Sequence, residues 1–598
     1  MNGETRMLTE TQSGTTQFVD REPIDAITAL DRFARSAPER GALSYGGAEL
    51  TYQALRLRSD ALARTLQKHG AQGAVDGYWG KRDFDWATAV VAILKAGSTY
   101  LPLDPSLPAS RTSFMIEQSR CALIIGPDRQ DWPNQLSASS NGATQYIPIA
   151  AALCEGQTSS VAPSSRGHRL AYILFTSGST GQPKGAMIER AALNNHLMAK
   201  IDGLRLTRTD CIAQTASHCF DISLWQLLAG LCVGARIAII DEATLKSPGG
   251  FLKAIQGCGV TVAQFVPSML ARFVEHLQSL AAAERALDGL RIISTVGEPL
   301  TPGLARAWLA LYPRIPILNH YGPTECADGV THHLVSAPPA PADLYVPIGK
   351  PISNLAVYVA DGPRLCGTGE VGELCVSGVG VAAGYVNDDV RTRDAFGPNP
   401  FSNNPSFRRL YKTGDLGRVR SDGFLECLGR RDRQVKIRGH RIELGEIEAR
   451  LCAHHLVRGA VAVASVRTGA KLTARDITHA AEDAAASKRL IAYVSAPTDV
   501  AEDELQTFLA EALPTYMLPE RIILVGAIPL TRNGKIDLGA LPDPTSIRPS
   551  LPTPFEAPQT KLEAQLSQIW SGVLHIENIG VNDEFISLGG TRSGQCLY

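Results

Sequence analysis

Between Tyr172 and Arg190 the chain reads YILFTSGSTGQPKGAMIER: an apolar run, then Thr176, Ser177, Gly178, Ser179, Thr180 and Gly181, then Lys184. Small residues let a backbone approach a ligand closely, and consecutive N–H groups beside hydroxyls can cradle anion oxygens. A loop needed only for chain reversal would use one or two turn residues rather than this cluster. Lys184 adds a cation. A Walker A loop places its lysine between glycine and serine or threonine. Here Lys184 stands between Pro183 and Gly185, so that loop is excluded, and the alternatives are a phosphate loop of another kind or a surface turn.

The elements that must hold such a loop are legible around it. Tyr172–Phe175 reads as a buried strand. From about Leu50 to Val419, helical patterns such as TYQALRLRSDALARTLQKHG and ATAVVAILKAG alternate with short apolar strands such as ALIIG, ARIAII and TVAQFVP. That alternation predicts a layered α/β architecture. The basic run GRRDRQVKIRGHRIELGEIEARL breaks it and opens a smaller α+β region, within which an Ala- and Asp-rich stretch, Arg467–Lys488, reads as an exposed insertion. Six prolines from Pro542 to Pro558 form an extended linker, followed by a segment of helical apolar spacing, TKLEAQLSQIWSGVL.

Length and composition bound the function. A chain of 598 residues exceeds one hydrophobic core, so several domains are expected. A formal net charge of −1 gives no electrostatic reason to expect nucleic acid or an anionic membrane as partner. No apolar run reaches bilayer length, and the polar first 22 residues lack a secretory signal and read as a disordered terminus. The twelve cysteines are scattered without a CxxC pair, which predicts neither a zinc site nor a disulfide framework and fits a reduced cytoplasmic protein.

The opening stretch resembles the phosphate-binding motif of adenylate-forming enzymes. LKAGSTYLPLDP, FDISLWQ, NHYGPTE, GELCVSG, YKTGDLGRV, GRRDRQVKIRGHRIE and LTRNGKID stand after one another in that family's order, so the chain resembles a non-ribosomal peptide synthetase adenylation domain followed by part of a peptidyl carrier domain. The resemblance implies a large multi-layer α/β subdomain over residues 23–431 and a small mobile α+β subdomain over 432–541. The Pro-rich linker at 542–558 and a helical carrier fragment at 559–598 follow. It implies a ligase of peptide antibiotic and secondary-metabolite synthesis that uses ATP and Mg²⁺ to convert an amino acid to aminoacyl-AMP. The aminoacyl group then passes to a phosphopantetheine thiol, with carrier and condensation domains as partners in cis or in trans.

Residue by residue, the loop from Thr176 to Gly181, with Lys184, would hold the phosphates. Glu325 resembles the Mg²⁺-associated glutamate, Thr324 the α-phosphate contact, Tyr321 the adenine neighbour, Asp415 the ribose carboxylate and Arg430 its support. Lys535 resembles the catalytic lysine, Asp432 the hinge, and Gly439 the glycine that nears the thiol in the thioester-forming state. Asp415 and Thr324 also sit in turn-like sequences where such residues cap helices.

The family also activates fatty and aryl acids. Asp221 matches the carboxylate that pairs with an α-ammonium, and burying it unpaired would be costly, which favours an amino acid. Asp221, Ile222, Trp225, Gln264, Ser294, Val296, His320, Asp328 and Gly329 match the lining of the family's acyl pocket. Gln264, Ser294, His320 and Asp328 are polar for a pocket serving Leu, Val or Phe, so a polar, glutamine-like side chain is expected. Asp328 could instead meet a basic group if it lies inside, and His320 could simply pack at the mouth. In DEFISLGGTRSGQCLY the carrier's modifiable serine position holds Arg592, with Ser593 one residue late, so self-loading is not expected. A kinase or ATPase, an acyl- or aryl-acid ligase, and a non-catalytic scaffold remain the alternative classes.

Overall fold

The structure is a computed structural model that describes residues 14–15, 25–128, 132, 144–158, 169–178, 181–340, 343, 345–465, 488–496, 500–529, 536–542, 553–574, 576, 578–585 and 588. Ser179, Thr180, Lys535, Arg592, Ser593 and the expected insertion at Arg467–Lys488 lie outside or almost wholly outside these residues. The chain forms two compact units. The larger comprises Met1–Ser177, Pro183–Asp432 and Arg438–His440; the smaller comprises Gly178–Gln182, Arg433–Ile437 and Arg441–Tyr598.

In the larger unit, two mainly parallel sheets carry the expected alternation. One has six strands, in the order Gln145–Pro148, Leu123–Gly126, Val75–Trp79, Thr99–Leu103, Leu170–Thr176 and Lys184–Glu189, and only the last pairs antiparallel. The other has nine, with Ile317–Tyr321, Ile292–Thr295, Val262–Phe265, Cys211–Gln214 and Arg236–Ile239 as its parallel centre. Strand periodicity sorts its side chains: Ile212 and Val262 enter one core cluster, while Ala213 and Ala263 enter the cluster on the opposite face. The first cluster also takes Tyr172 and Leu174 of the six-stranded sheet and Leu197, Leu224 and Leu228 from helices between the sheets.

The helix Asp221–Val233 (DISLWQLLAGLCV) is apolar nearly all round, the pattern of a helix enclosed on every side, and eleven of its residues are buried. It ends at Gly234, whose φ of +77° supplies the left-handed turn that closes the helix. The helix Arg190–Leu204 beside it turns Ala192, Leu193, His196, Leu197, Lys200, Ile201 and Leu204 inward.

The alternation does not run to Val419, as the sequence suggested. After Tyr321 the chain becomes mostly strand, and Leu355–Asp361, Gly372–Gly378, Arg409–Val419 and Leu425–Arg430 form an antiparallel sheet. The period-two runs LAVYVAD and GELCVSG, separated by Gly-containing turns, are too short and too closely spaced to admit crossover helices.

In the smaller unit, Gly459–Ser465 pairs antiparallel with Arg489–Ser495, which pairs parallel with Arg521–Val525. Ala462, Ala492 and Ile522 face a cluster containing Ile447 and Leu451 of the helix Leu444–Cys452 and Leu505 and Leu509 of Glu502–Ala510. Val461, Ile491 and Ile523 face a second cluster with Leu541. Further along lie the helix Lys561–Leu574 and a small cluster of Ile576, Ile579 and Leu588. This is the expected α/β fold with a large N-terminal and a small C-terminal subdomain. No helix among the described residues is long and apolar enough to cross a membrane.

Candidate active site

Antiparallel pairing of Leu170–Thr176 with Lys184–Glu189 puts Thr176 directly opposite Lys184, at the two strand ends that flank the glycine- and hydroxyl-rich segment. The Thr176 hydroxyl is buried with no hydrogen-bond partner among the described residues, and Ser177 is buried beside it. An orphaned hydroxyl at the end of this strand suits a phosphate oxygen.

Lys184 reaches the fully buried Glu325, with Nζ 3.2 Å from Oε1. Tyr385 completes the group: its hydroxyl donates to Glu325 Oε1 at 2.8 Å and accepts from Lys184 Nζ at 3.1 Å. Glu325 occupies a 3₁₀ turn, Thr324–Cys326, directly after the strand that carries His320 and Tyr321. Its carboxylate is the kind of hard oxygen donor that Mg²⁺ takes. Tyr385 was not foreseen; AAGYVND carries no signal beyond an aromatic after glycine.

A second acidic group lies on the antiparallel sheet. Asp415 and Arg430 are register partners on neighbouring strands, and Arg430 Nη1 donates to Asp415 Oδ1 at 2.6 Å. Tyr321 donates its hydroxyl to Asp415 Oδ2 at 2.5 Å. Burial, and then the Asp415 charge, hold the Tyr321 phenol well above its usual range, so it stays a donor. Arg430 also grips Asp432 through Nε and Nη2, both at 2.7 Å, so one guanidinium joins the proposed ribose carboxylate to the proposed hinge residue. Gly439 takes a φ of +77°.

The positions expected to line an acyl pocket lie on the helix Asp221–Val233 and on strands and a turn of the nine-stranded sheet. Asp221 opens its helix and Trp225 follows one turn later on the same face. Gln264 and Ser294 are register partners on adjacent parallel strands, and Val296 and His320 lie just beyond them. Burial, and then the neighbouring charge of Asp328, push the Asp221 carboxyl up to about 7, with the Thr324 side chain opposing through a hydrogen bond. Thr324, expected at the α-phosphate, thus links the turn that carries Glu325 to Asp221. Ile222 is half-buried and Val296 buried.

His320 is 3% exposed and Asp328 is 3% exposed, so both lie inside the protein rather than at its rim. Asp328 follows Ala327 in the left-handed region, with φ values of +76° and +58°, and this turn aims its carboxylate inward. The absence of a side chain at Gly329 is required: a Cβ there would come within 2.7 Å of the His196 ring.

Sequence reasoning missed two residues of this cluster, His196 and Lys200. They sit one turn apart on the inward face of Arg190–Leu204, and the signal was available: two ionisable residues interrupt an otherwise apolar stripe, LNNHLMAKI. Lys200 is fully buried; its Nζ lies 2.8 Å from His320 Nε2 and 4.8 Å from the centre of the Trp225 ring. His196 Nε2 is 3.1 Å from Asp328 Oδ2, though not aligned for a hydrogen bond, and Ser294 Oγ is 3.1 Å from His320 Nδ1. Burial lowers Lys200 to about 8, opposed by Asp328 and Asp221, and lowers His320 to about 4 with Lys200 adding to the effect. Burial alone would raise Asp328, but Lys200, His196 and His320 hold it well below the usual carboxylate range. Near neutral pH the cluster therefore contains an ammonium, a carboxylate and neutral imidazoles.

Comparison with known proteins converges on the same reading. A model of the AMP-binding enzyme family matches residues 30–386, and one of the AMP-binding enzyme C-terminal domain matches residues 446–535. Tyrocidine synthase 2 of Brevibacillus parabrevis is 34% identical over 559 residues, covering 93% of this chain and 15% of that protein. A solved NRPS protein containing adenylation and PCP domains, bound to a vinylsulfonamide inhibitor, superposes with a TM-score of 0.73 at 26% identity, over 94% of this chain and 89% of that one. A four-domain nonribosomal peptide synthetase bound to AMP and glycine gives a TM-score of 0.60 at 27% identity, over 97% of this chain and 40% of that one. The chain spans less than half the length of the curated relatives compared, 48% of Tyrocidine synthase 1 and 8% of Tyrocidine synthase 3, both also of Brevibacillus parabrevis. With its ordered motifs, its two-subdomain architecture and its buried Lys184–Glu325 and Asp415–Arg430 pairs, the chain belongs to the AMP-binding enzyme family, the adenylate-forming ligases, and is similar to the adenylation segments of nonribosomal peptide synthetases.

Proposed function

We propose that this chain activates an amino acid with a polar side chain, glutamine-like by preference, as its aminoacyl-AMP and passes it to the phosphopantetheine thiol of a carrier domain, in cis or in trans, during non-ribosomal peptide synthesis. The observation that carries the amino-acid reading is Asp221, an almost fully buried carboxyl at a helix start, which burial raises to about 7. A substrate α-ammonium would offset that burial with an ion pair; a fatty or aryl acid would not.

In the first half-reaction a carboxylate oxygen attacks the α-phosphorus of ATP, forming an acyl–phosphate bond and expelling pyrophosphate. Two anions must meet, so the residues around them must supply positive charge and hydrogen-bond donors. Lys184 and the Thr176–Gly181 segment hold phosphate oxygens. Glu325 would hold Mg²⁺, whose charge would offset that of the phosphates. Asp415 accepts the ribose hydroxyls, with Arg430 fixing its orientation and Tyr321 lying against the base. Lys535 approaches the carboxylate and α-phosphate from the small subdomain. In the second half-reaction a thiolate attacks the acyl carbon and AMP departs; the thiol proton leaves to solvent. Rotation about Asp432 withdraws Lys535 and brings Gly439 toward the thiol.

The reading is tested by product analysis. With ATP, Mg²⁺ and hydroxylamine, each of the twenty amino acids is supplied in turn, and phosphorus products are separated. Formation of aminoacyl hydroxamate with AMP and pyrophosphate supports the reading. Formation of ADP, or hydroxamate only from a fatty or aryl acid, refutes it.

A further inference from the structure

The pocket cluster has an imbalance that the adenylation chemistry does not explain. Lys200 is a fully buried ammonium with three donors, and its hydrogen-bonding neighbour among the described residues is the His320 ring. Among the described residues no carboxylate lies within ion-pair distance of its Nζ. The Trp225 indole Nε1 beneath it is buried without an acceptor. On the other side of the balance, Gln264 Oε1 and Asp328 Oδ2 are buried acceptors with no hydrogen-bond donor among the described residues. Among these groups Trp225 Nε1, Gln264 Oε1 and Asp328 Oδ2 are thus unsatisfied, as are both ring nitrogens of His196, while Lys200 has donors to spare beyond its bond to His320. Buried polar atoms of this kind are normally paired, so the missing partner is a group that both accepts and donates.

Charge narrows the choice. Lys200 and Asp328 already offset one another, and Asp221 is reserved for the α-ammonium. A side-chain carboxylate would leave a net negative charge in a dry site, and a side-chain ammonium a net positive one held against Lys200. An apolar side chain would leave Trp225 Nε1, Gln264 Oε1 and Asp328 Oδ2 unpaired. A primary carboxamide presents one carbonyl oxygen and two N–H donors and carries no charge.

We propose that Lys200, which the family resemblance did not single out, is a specificity-determining residue whose ammonium donates to the carbonyl oxygen of a substrate side-chain carboxamide, while Asp328 and Gln264 accept from its amide nitrogen. This deepens the amino-acid-adenylating reading and rests on it. The role of Lys200 is therefore twofold. It supplies a donor, and it cancels the charge of Asp328 so that the pocket rejects cations.

The test compares kcat/KM for amino-acid-dependent pyrophosphate exchange with glutamine, glutamate, ornithine and methionine, in the parent, in Lys200→Met, and in the double variant Lys200→Met with Asp328→Asn. The parent should favour glutamine over each of the others by at least about tenfold. Lys200→Met should lose about ten- to a hundredfold on glutamine and, with Asp328 uncompensated, move ornithine to the top of its ranking. The double variant restores charge balance and should rank methionine first while its KM for ATP stays unchanged. A parent that prefers glutamate, ornithine or methionine overturns the proposal, as does an unaltered ranking in both variants. If no amino acid supports exchange in the parent, the adenylation reading itself fails, a distinct result.

Discussion

Asp221 provides a sharp test through pH. Burial and the nearby Asp328 raise its carboxyl to about 7, whereas the α-ammonium binds the ionised form. Lowering the pH from 8 to 6 takes the ionised fraction from about nine-tenths to about one-tenth. Apparent affinity scales with the fraction of protein competent to bind, so KM for the amino acid should rise about tenfold. His320, lowered to about 4, and Asp328, held well below its usual range, do not titrate in this window, whereas Lys200, at about 8, goes from about half to almost fully protonated as pH falls and, by favouring the ionised Asp221, makes tenfold an upper figure. The assay is pyrophosphate exchange at saturating ATP between pH 6 and 8, with KM for ATP followed in parallel. Asp221→Asn should bind weakly and without this slope. The same shift has a stability consequence of known sign. A carboxyl raised in the folded state binds more protons there than when unfolded, so the ligand-free protein should lose stability as pH rises from about 4 to 7. An amino-acid KM that is flat from pH 8 to 6 in the parent would refute the role given to Asp221.

Other perturbations separate the remaining parts. Lys535→Ala should abolish amino-acid adenylation while leaving ATP affinity, read by equilibrium binding, within about threefold of the parent, because its ammonium acts on charge that develops at the reacting centre. Asp432→Pro should block one half-reaction and spare the other, seen by assaying adenylate formation and thioester formation on a carrier in trans; equal loss of both would argue against a hinge. Tyr385→Phe removes the hydroxyl shared by Lys184 and Glu325 and should lower kcat/KM for ATP by about tenfold, checked by exchange kinetics at varied Mg²⁺. Away from the site, Lys95 is 2% exposed and bonds both Asp31 and Asp60, at 3.0 and 2.7 Å. Lys95→Met should destabilise the protein by roughly 1–3 kcal/mol, measured by urea unfolding, since it removes two charge-assisted hydrogen bonds and leaves Asp60 paired, among the described residues, with Arg56 alone.

What the sequence disclosed follows from where the information is stored. Glu325 lies in a turn, Lys184 opens a strand and Asp415 follows the left-handed Gly414 inside one, so glycine, proline and hydroxyl residues mark each of them in the sequence, while the Lys184–Glu325 and Asp415–Arg430 ion pairs are what the structure adds. Asp221 and Trp225 were legible because FDISLWQ places them one helical turn apart. His196 and Lys200 were overlooked because a single ionisable residue in an apolar helix reads as noise until its neighbours in space are known. Tyr385 pairs with residues 201 and 60 positions away, a relation no local pattern encodes. The same limit applies to the fold. The βα alternation was carried through to Val419, although the strands after Tyr321 pair mainly with close sequence neighbours in an antiparallel sheet.

The central claim is that Asp221, Lys184, Glu325, Asp415 and Lys535 serve one reaction, reversible amino-acid adenylation. The most direct measurement is exchange of labelled pyrophosphate into ATP, run with the whole chain and Mg²⁺ across a panel of amino acids and their des-amino analogues. The account predicts strong label incorporation with a carboxamide-bearing amino acid and almost none with its des-amino analogue. Equal incorporation from the des-amino acid, or none from any amino acid, would contradict it.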